Sequence, residues 1–242
     1  MRIWVDLHIH SCLSGCAEDD MTPNNIVNMA LIKGLDVIAV TDHNSARNIE
    51  AVMQVGKREG LLVVPGMELC TAEEIHLVCL FPSFESTLSF QNYVYKSLNP
   101  IDNREDIFGA QILMDSYDNE IGRERRMLSG ACKLDVETAI MSVKELGGVV
   151  IPAHVNRQSY SMLNTLGAIP TDYDFKYLEC SKNCNLDLFL QEHEELKGYE
   201  FIKSSDAHFL SDISEQEIFF DIKEKSIDSI LSLLRQETHI GY

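Results

Sequence analysis

Two histidines separated by one residue, His8 and His10 in VDLHIHS, end a stretch in which Ile3, Val5 and Leu7 alternate as in a short strand. Residues two apart on a strand share a face, so the imidazoles form a pincer for a metal ion while Ile9 turns the other way into packing. The same chemistry recurs along the chain. His43 ends GLDVIAVTDH, His154 ends GGVVIPAH and His208 ends EFIKSSDAH, each after an apolar run. Glu68 follows another run in LLVVPGMEL, and His76 opens the strand-like IHLVCLF. Six of the 8 histidines therefore stand at strand boundaries, where unrelated core histidines would scatter. Asp206, two residues before His208, adds a carboxylate to the same strand end. Imidazole with carboxylate suits divalent zinc, manganese or iron, whereas a thiolate-rich set would indicate structural zinc. One glutamate has lone pairs enough to bridge two ions, and Glu68 is the candidate. His193, in a polar helical stretch, and His239, near the C-terminus, read as surface or structural residues.

The elements that must position these residues alternate strand and helix. Strands are predicted at 3–7, 36–41, 61–65, 75–80, 149–152, 176–179 and 201–204, with 217–221 a possible extra. TPNNIVNMALIKG opens on a Thr cap with Pro next and closes on Gly34, and SARNIEAVMQVGKREG opens on Ser45 and closes on Gly60. KLDVETAIMSVKELGG and NLDLFLQEHEELKG read as helices in the same way. Runs such as VIAV, LLVV and GGVVI suit strands buried on both faces, as a parallel barrel requires. The expected fold is α/β, a distorted (βα)7 TIM-like barrel in a single domain over 1–242. An inserted segment at 83–133, with one helix at FESTLSFQNYVYKSL, reads as a lid or cap, against a plain surface excursion.

With DLHIHS, AVTDH, the GMEL glutamate followed by EIHL, PAH and SSDAH in this order, the chain resembles the PHP domain (polymerase and histidinol phosphatase) phosphoesterases over nearly its whole length apart from the insertion. The resemblance implies a distorted seven-stranded βα barrel carrying up to three metal ions at the carboxyl ends of its strands. It places His8, His10, Glu68 and Asp206 on one ion, Glu68, His76 and His154 on a second, and His43 and His208 on a third, with Asp42 orienting a ligand from behind. In many relatives the first motif continues with an acid or a further histidine that completes the third site. Here Gly15 stands at that position, and Cys16, Glu18 and Asp19 are the neighbours that could replace it, against a reading of them as loop residues on an acidic turn.

Composition sets the remaining expectations. At 242 residues with 45% hydrophobic content, the chain can bury a large core. No apolar run is long enough to span a membrane and no apolar leader precedes the first strand, so a cytoplasmic protein without membrane contact is expected. The 7 cysteines are odd in number and dispersed, which suits reduced thiols. Lys and Arg total 20 against 38 Asp and Glu, giving a net charge of −18. Such a surface repels a phosphate backbone, so a small phosphorylated substrate is expected and long duplex nucleic acid is not. Oligomeric state is not legible in the sequence.

The expected function is a metal-dependent phosphoesterase with two or three divalent ions of zinc, manganese or iron. It would hydrolyse a nucleotide, nucleoside bisphosphate or short oligonucleotide by a metal-bridged hydroxide. Glu68 would bridge the ions, Asp206 or His208 would manage the leaving-group proton, and Arg157, three residues after His154, would bind the phosphate through its fork of donors or else stand as a solvated loop residue. Arg123, Arg125 and Arg126 read as surface charge that a lid could bring over the pocket. Two alternatives stand beside this reading. A metal-dependent amidohydrolase also starts with H-x-H and uses a late Asp, but commonly bridges its metals with a modified lysine. A noncatalytic metal-binding module would survive on fewer ligands.

Overall fold

The computed structural model describes residues 1–235. Its elements, in chain order, are β1 (Arg2–Ile9), α1 (Pro23–Ile32), β2 (Val37–Val40), α2 (Ile49–Glu59), β3 (Leu62–Cys70), β4 (His76–Leu80), α3 (Phe84–Ser97), α4 (Glu105–Phe108), β5 (Ile112–Met114), β6 (Glu120–Arg123), α5 (Val136–Glu145), β7 (Val149–Pro152), α6 (Met162–Leu166), β8 (Tyr177–Ser181), α7 (Leu186–Glu192), β9 (Glu200–Ser204), β10 (Phe219–Asp221) and α8 (Ile227–Arg235). The fold is α/β, and its main sheet curls into a half-barrel with strand order β10-β1-β2-β3-β4-β7. β8 and β9 form a separate parallel pair. The Val155 amide donates to the Glu179 carbonyl at 2.8 Å beside β7, and Ile9 bridges Ala207 beside β1.

Uniform βα alternation does not hold. β1, β2 and β3 are parallel, but β3 turns directly into the antiparallel β4, and β4 pairs antiparallel with β7. The change falls at Pro65–Gly66. Up to Pro65 the strand is in register with β2, and from Gly66 onward it is in register with β4. A Cβ at Gly66 would lie 2.7 Å from Thr41 Cγ2, so only glycine allows this close approach. The strand expected to end at residue 65 thus continues to Cys70, and Glu68 lies within it rather than after it.

Packing follows the strand alternation. Ile3, Val5, Leu7, Val37, Ala39, Val64, Val78 and Ile151 form one buried cluster with residues of α8. Ile38, Val40, Val63 and Cys79 face the other way, against Ile26, Val27, Val52 and Val55 of α1 and α2. A register shift between Asp6 and Ile9 sends Ile9 into this second cluster. α1 starts as expected on Thr22, whose side chain accepts from the Asn25 amide, with Pro at the first turn. α2 begins later than the sequence suggests, at Ile49, the preceding Asn48 side chain donating to Ser11 Oγ and the Ile112 carbonyl, and it closes on Gly60 in the left-handed region (φ 83°).

The 83–133 segment is more ordered than its polarity implies. α3 packs by Phe90 against Phe81, ring centroids 5.2 Å apart, and β5 and β6 form a hairpin missed in the sequence. The segment lies over the loops that follow β1, β2 and β3. The Ile112 amide donates to the Cys12 carbonyl at 2.9 Å, the Cys132 amide to the Cys70 carbonyl at 2.9 Å, and the Asn44 side chain to the carbonyls of Leu128 and Gly130 at 2.7 and 2.8 Å.

Candidate metal centre

Glu68 is the hub. Its Oε1 lies 2.8 Å from Nδ1 of His76 and 3.3 Å from Nε2 of both His8 and His154. Its Oε2 lies 2.7 Å from Nδ1 of His43 and 3.5 Å from Nε2 of His10. Asp206 Oδ1 lies 3.2 Å from Nε2 of His10, 3.4 Å from Nε2 of His8 and 3.7 Å from Nδ1 of His208. The fold therefore brings together His8, His10, His43, Glu68, His76, His154, Asp206 and His208 from the ends of β1, β2, β3, β4, β7 and β9. His193 is apart, half-buried and paired with Glu195, and His239 lies outside the described residues.

The donor set fits divalent cations. Nδ1 of His43, Oε2 of Glu68, Nε2 of His76 and Nδ1 of His154 are buried without a hydrogen-bond partner, although buried polar groups are normally paired. His43 Nδ1 and Glu68 Oε2 approach to 2.7 Å with neither in hydrogen-bonding geometry, the arrangement of two donors serving a third body. Three groups, His8–His10–Glu68, His43–Glu68–His76 and His10–His43–His208, have ligand atoms within 4.8 Å of one another. Imidazole and carboxylate donors suit zinc, manganese and iron.

The same crowding sets the protonation states. Burial opposes charge on Glu68, but the rings of His76, His8 and His43 hold its carboxyl well below the usual carboxylate range. Burial likewise opposes charge on His8, yet Glu179, Glu68 and Asp206 raise it well above an ordinary imidazole, and Glu68 does the same for His43. His10 moves the other way, lowered by burial and by His208 and His43.

Residues behind the cluster fix its geometry. Nδ1 of His8 lies 3.0 Å from Glu179 Oε2, and Glu179 Oε1 accepts from the His154 amide at 3.1 Å. This residue of β8 was not singled out in the sequence, where a lone Glu in YLECS has no neighbouring motif. Asp42 accepts from the Ser11 amide at 2.7 Å and from the hydroxyls of Ser11 and Ser14 at 2.6 and 2.8 Å, while Ser14 Oγ lies 2.9 Å from Nδ1 of His10. Asp42 thus acts on His10 through Ser14. Asp6 accepts from the amides of Ser205 and Ser214, both at 3.0 Å, and so anchors the loop carrying Asp206 and His208 to β1. The backbone is strained at the site itself, with positive φ at Asn44 (47°), His154 (31°), Tyr160 (56°) and Asp206 (50°).

Arg157 is half-exposed and pairs with Asp206, its Nη1 2.6 Å from Oδ2, while its Nε donates to Ser181 Oγ at 3.1 Å. Arg123 pairs with Glu105 and Glu120, Arg125 with Asp102, and Arg126 donates to the Tyr95 carbonyl, so these three serve the inserted segment itself. That segment forms one wall of a cavity of about 620 Å³ beside the cluster, with Ile107, Phe108, Met127 and Gly130 facing Cys16 and Tyr160. The Tyr160 ring stacks on His76 with centroids 4.5 Å apart.

Comparison with known proteins gives this geometry a lineage. The model of the PHP domain matches residues 6–205. The chain belongs to the PHP domain family. Among curated proteins, this PHP chain is 29% identical over 150 residues to the uncharacterized protein MJ0043 of Methanocaldococcus jannaschii, covering 62% of this chain and 16% of that one. Among solved structures it is similar to endonuclease Q from Pyrococcus furiosus (TM-score 0.69, 18% identity, 97% of this chain and 56% of that one). It is equally similar to endonuclease Q in complex with a 27-mer duplex bearing an abasic lesion at the active site (TM-score 0.69, 17% identity, 97% and 57%). A protein of Bifidobacterium adolescentis assigned as a metal-dependent phosphoesterase matches over 97% of both chains (TM-score 0.59, 16% identity). At these identities the likeness to the solved structures is one of fold, and the chain spans little over half of endonuclease Q.

The endonuclease Q complex overturns the expectation that long duplex nucleic acid is excluded. That expectation rested on a net charge of −18 summed over the whole chain. Recognition depends on the local potential, and divalent ions are the largest local charges in such a site, so the sum does not decide which anion the PHP fold admits. No helix among the described residues is long and apolar enough to cross a membrane.

Proposed function

We propose that this chain is a metal-dependent phosphodiesterase that cleaves nucleic acid at the Glu68 cluster. The observation that carries the reading is the buried Glu68 carboxylate, both of whose oxygens face imidazole nitrogens from separate strands at 2.7–3.5 Å. Two or three divalent ions of zinc, manganese or iron, held by His8, His10, His43, Glu68, His76, His154, Asp206 and His208, would supply Lewis acidity toward a phosphoryl group and an activated water. Glu68 would offer both carboxylate oxygens to these ions. Asp206 and His208, at the solvent side of the cluster, manage the proton of the leaving oxygen. Arg157 holds Asp206 in place and presents the remaining edge of its guanidinium to the scissile phosphate. The apolar cavity wall of Phe108, Met127 and Tyr160 suits the flat face of a nucleobase next to that phosphate, and the 83–133 segment acts as a cap over it. The free cysteines support a reducing compartment, the cytoplasm.

The test uses the full chain, stripped with chelator and reloaded separately with zinc, manganese and iron. End-labelled single-stranded and duplex oligonucleotides, with and without an abasic site, are then followed by gel. Cleavage that returns with metal and disappears in Glu68→Gln is the expected result. A fully metal-loaded protein that cleaves none of these strands overturns the reading.

A further inference from the structure

The turn after β1 brings a thiol to the edge of the cluster. Cys16 Sγ lies 3.1 Å from Nε2 of His208, whose ring centroid is 6.0 Å from that of His43. The His208 ring is oriented for this. Its Nδ1 lies 2.9 Å from the Asp206 carbonyl, so Nε2 is the nitrogen left to face Cys16. The His208 ring also stacks on His10 at 4.2 Å between centroids, and His10 on His43 at 4.5 Å.

Backbone bonds hold the thiol there. The Ala17 amide donates to the Ser14 carbonyl at 2.8 Å, and the Glu18 amide to the His208 carbonyl at 3.0 Å, which clamps the turn onto the loop that carries His208. Gly15 packs against Gly109 of the inserted segment, where a side chain would run into the Gly15 carbonyl. The acids of the turn do not share this placement. Glu18, Asp19 and Asp20 are exposed, and among the described residues none of their carboxylates pairs with a site histidine.

We propose that Cys16 is the anionic ligand of a third metal ion, held jointly with His43 and His208. The inference rests on the reading of the cluster as a metal centre. Zinc takes sulfur at about 2.3 Å and nitrogen at about 2.0 Å, which sets their tetrahedral separation at roughly 3.5 Å. The present S···N distance of 3.1 Å is therefore within a few tenths of an ångström of that arrangement. Imidazoles alone leave the ion its full double charge, and a thiolate reduces it. The second independent mark is that His43 and His208, together with His10, each offer a ligand atom within 4.8 Å of the others at this edge of the cluster. A thiolate gives this position a softer donor set than the rest of the cluster and favours zinc, iron or cobalt over manganese and magnesium.

Cobalt(II) is the probe, because a thiolate ligand gives it a strong charge-transfer absorption in the near ultraviolet that nitrogen and oxygen ligands do not. Metal-free full-length protein is titrated with cobalt(II) and its absorption followed, with bound metal counted by plasma mass spectrometry. The band is expected in the native chain and in Cys184→Ser, and absent from Cys16→Ser, which should hold one ion fewer. Cys16→Asp should recover the ion without the band. A native protein that fills with cobalt but shows no thiolate band, or a Cys16→Ser protein that keeps both band and metal count, overturns the proposal. Failure to bind cobalt anywhere would instead remove the metal-centre reading on which it stands.

Discussion

Glu179 Oε2 lies 3.0 Å from Nδ1 of His8, while the opposite ring nitrogen of His8 lies 3.3 Å from Glu68 Oε1. The buried carboxylate fixes which nitrogen carries the proton and so which one presents a lone pair to the cluster. Glu179→Gln keeps the size and an acceptor for the His154 amide but removes the charge. It is expected to weaken metal binding roughly ten- to a hundredfold. Chelator competition measures the affinity, and an affinity equal to that of the native protein would remove Glu179 from the site.

Ser14 relays Asp42 to His10 and also accepts from the His43 amide at 3.2 Å. Burial raises the Asp42 carboxyl, and the hydroxyls of Ser11 and Ser14 act against that. Ser14→Ala removes a donor from a buried carboxylate, an omission that costs about 1–3 kcal/mol. The variant should melt earlier and lose metal more readily, whereas Ser14→Thr keeps the hydroxyl and should recover both if it fits. Unchanged denaturant midpoint and unchanged metal retention in the alanine variant would count against the relay.

Much of the cluster's membership was legible because few residue types suit a divalent ion. His8, His10, His43, His154 and His208 sit at strand ends that apolar runs make visible. What escaped depended on contacts distant in sequence. Glu179 finds His8 across 171 residues and the His154 amide across 25, and nothing in YLECS signals either. The extension of β3 past residue 65 runs through Pro65 and Gly66, residues that usually interrupt a strand. Here they mark the change from a parallel to an antiparallel partner, and the Pro65 carbonyl still accepts from the Phe81 amide at 2.9 Å. The β5–β6 hairpin escaped for a different reason: EIGR is short, polar and largely exposed, so no apolar alternation announces it.

Phe81 and Phe90 are both fully buried and join the end of β4 to α3 at the start of the inserted segment. Phe90→Ala leaves a cavity and is expected to cost ~3–5 kcal/mol in chemical denaturation. Neither ring touches the cluster, so metal content per folded chain should stay as in the native protein. Loss of metal from a variant that is still folded would mean that the inserted segment and the centre are mechanically coupled.

Protons and metal compete for the same nitrogens. Burial opposes charge on His8, His43 and His208, but the carboxylates and the thiol around them raise all three above the ordinary imidazole value of about 6.5. The metal-free chain should therefore hold protons on these rings to higher pH than an ordinary imidazole does. Raised values stabilise the metal-free fold below the ordinary pKa, and that contribution is lost as pH rises through the folded-state values. Metal uptake must displace the protons, so binding strengthens over the same rise in pH and stabilises the folded chain by mass action. The two forms should consequently diverge above neutrality, the metal-free protein melting lower and the loaded protein higher as pH increases. Calorimetric titration with zinc in two buffers of different ionisation enthalpy counts the protons released. A binding heat independent of buffer at neutral pH would mean that the rings are already neutral and that the carboxylates around them do not govern their charge.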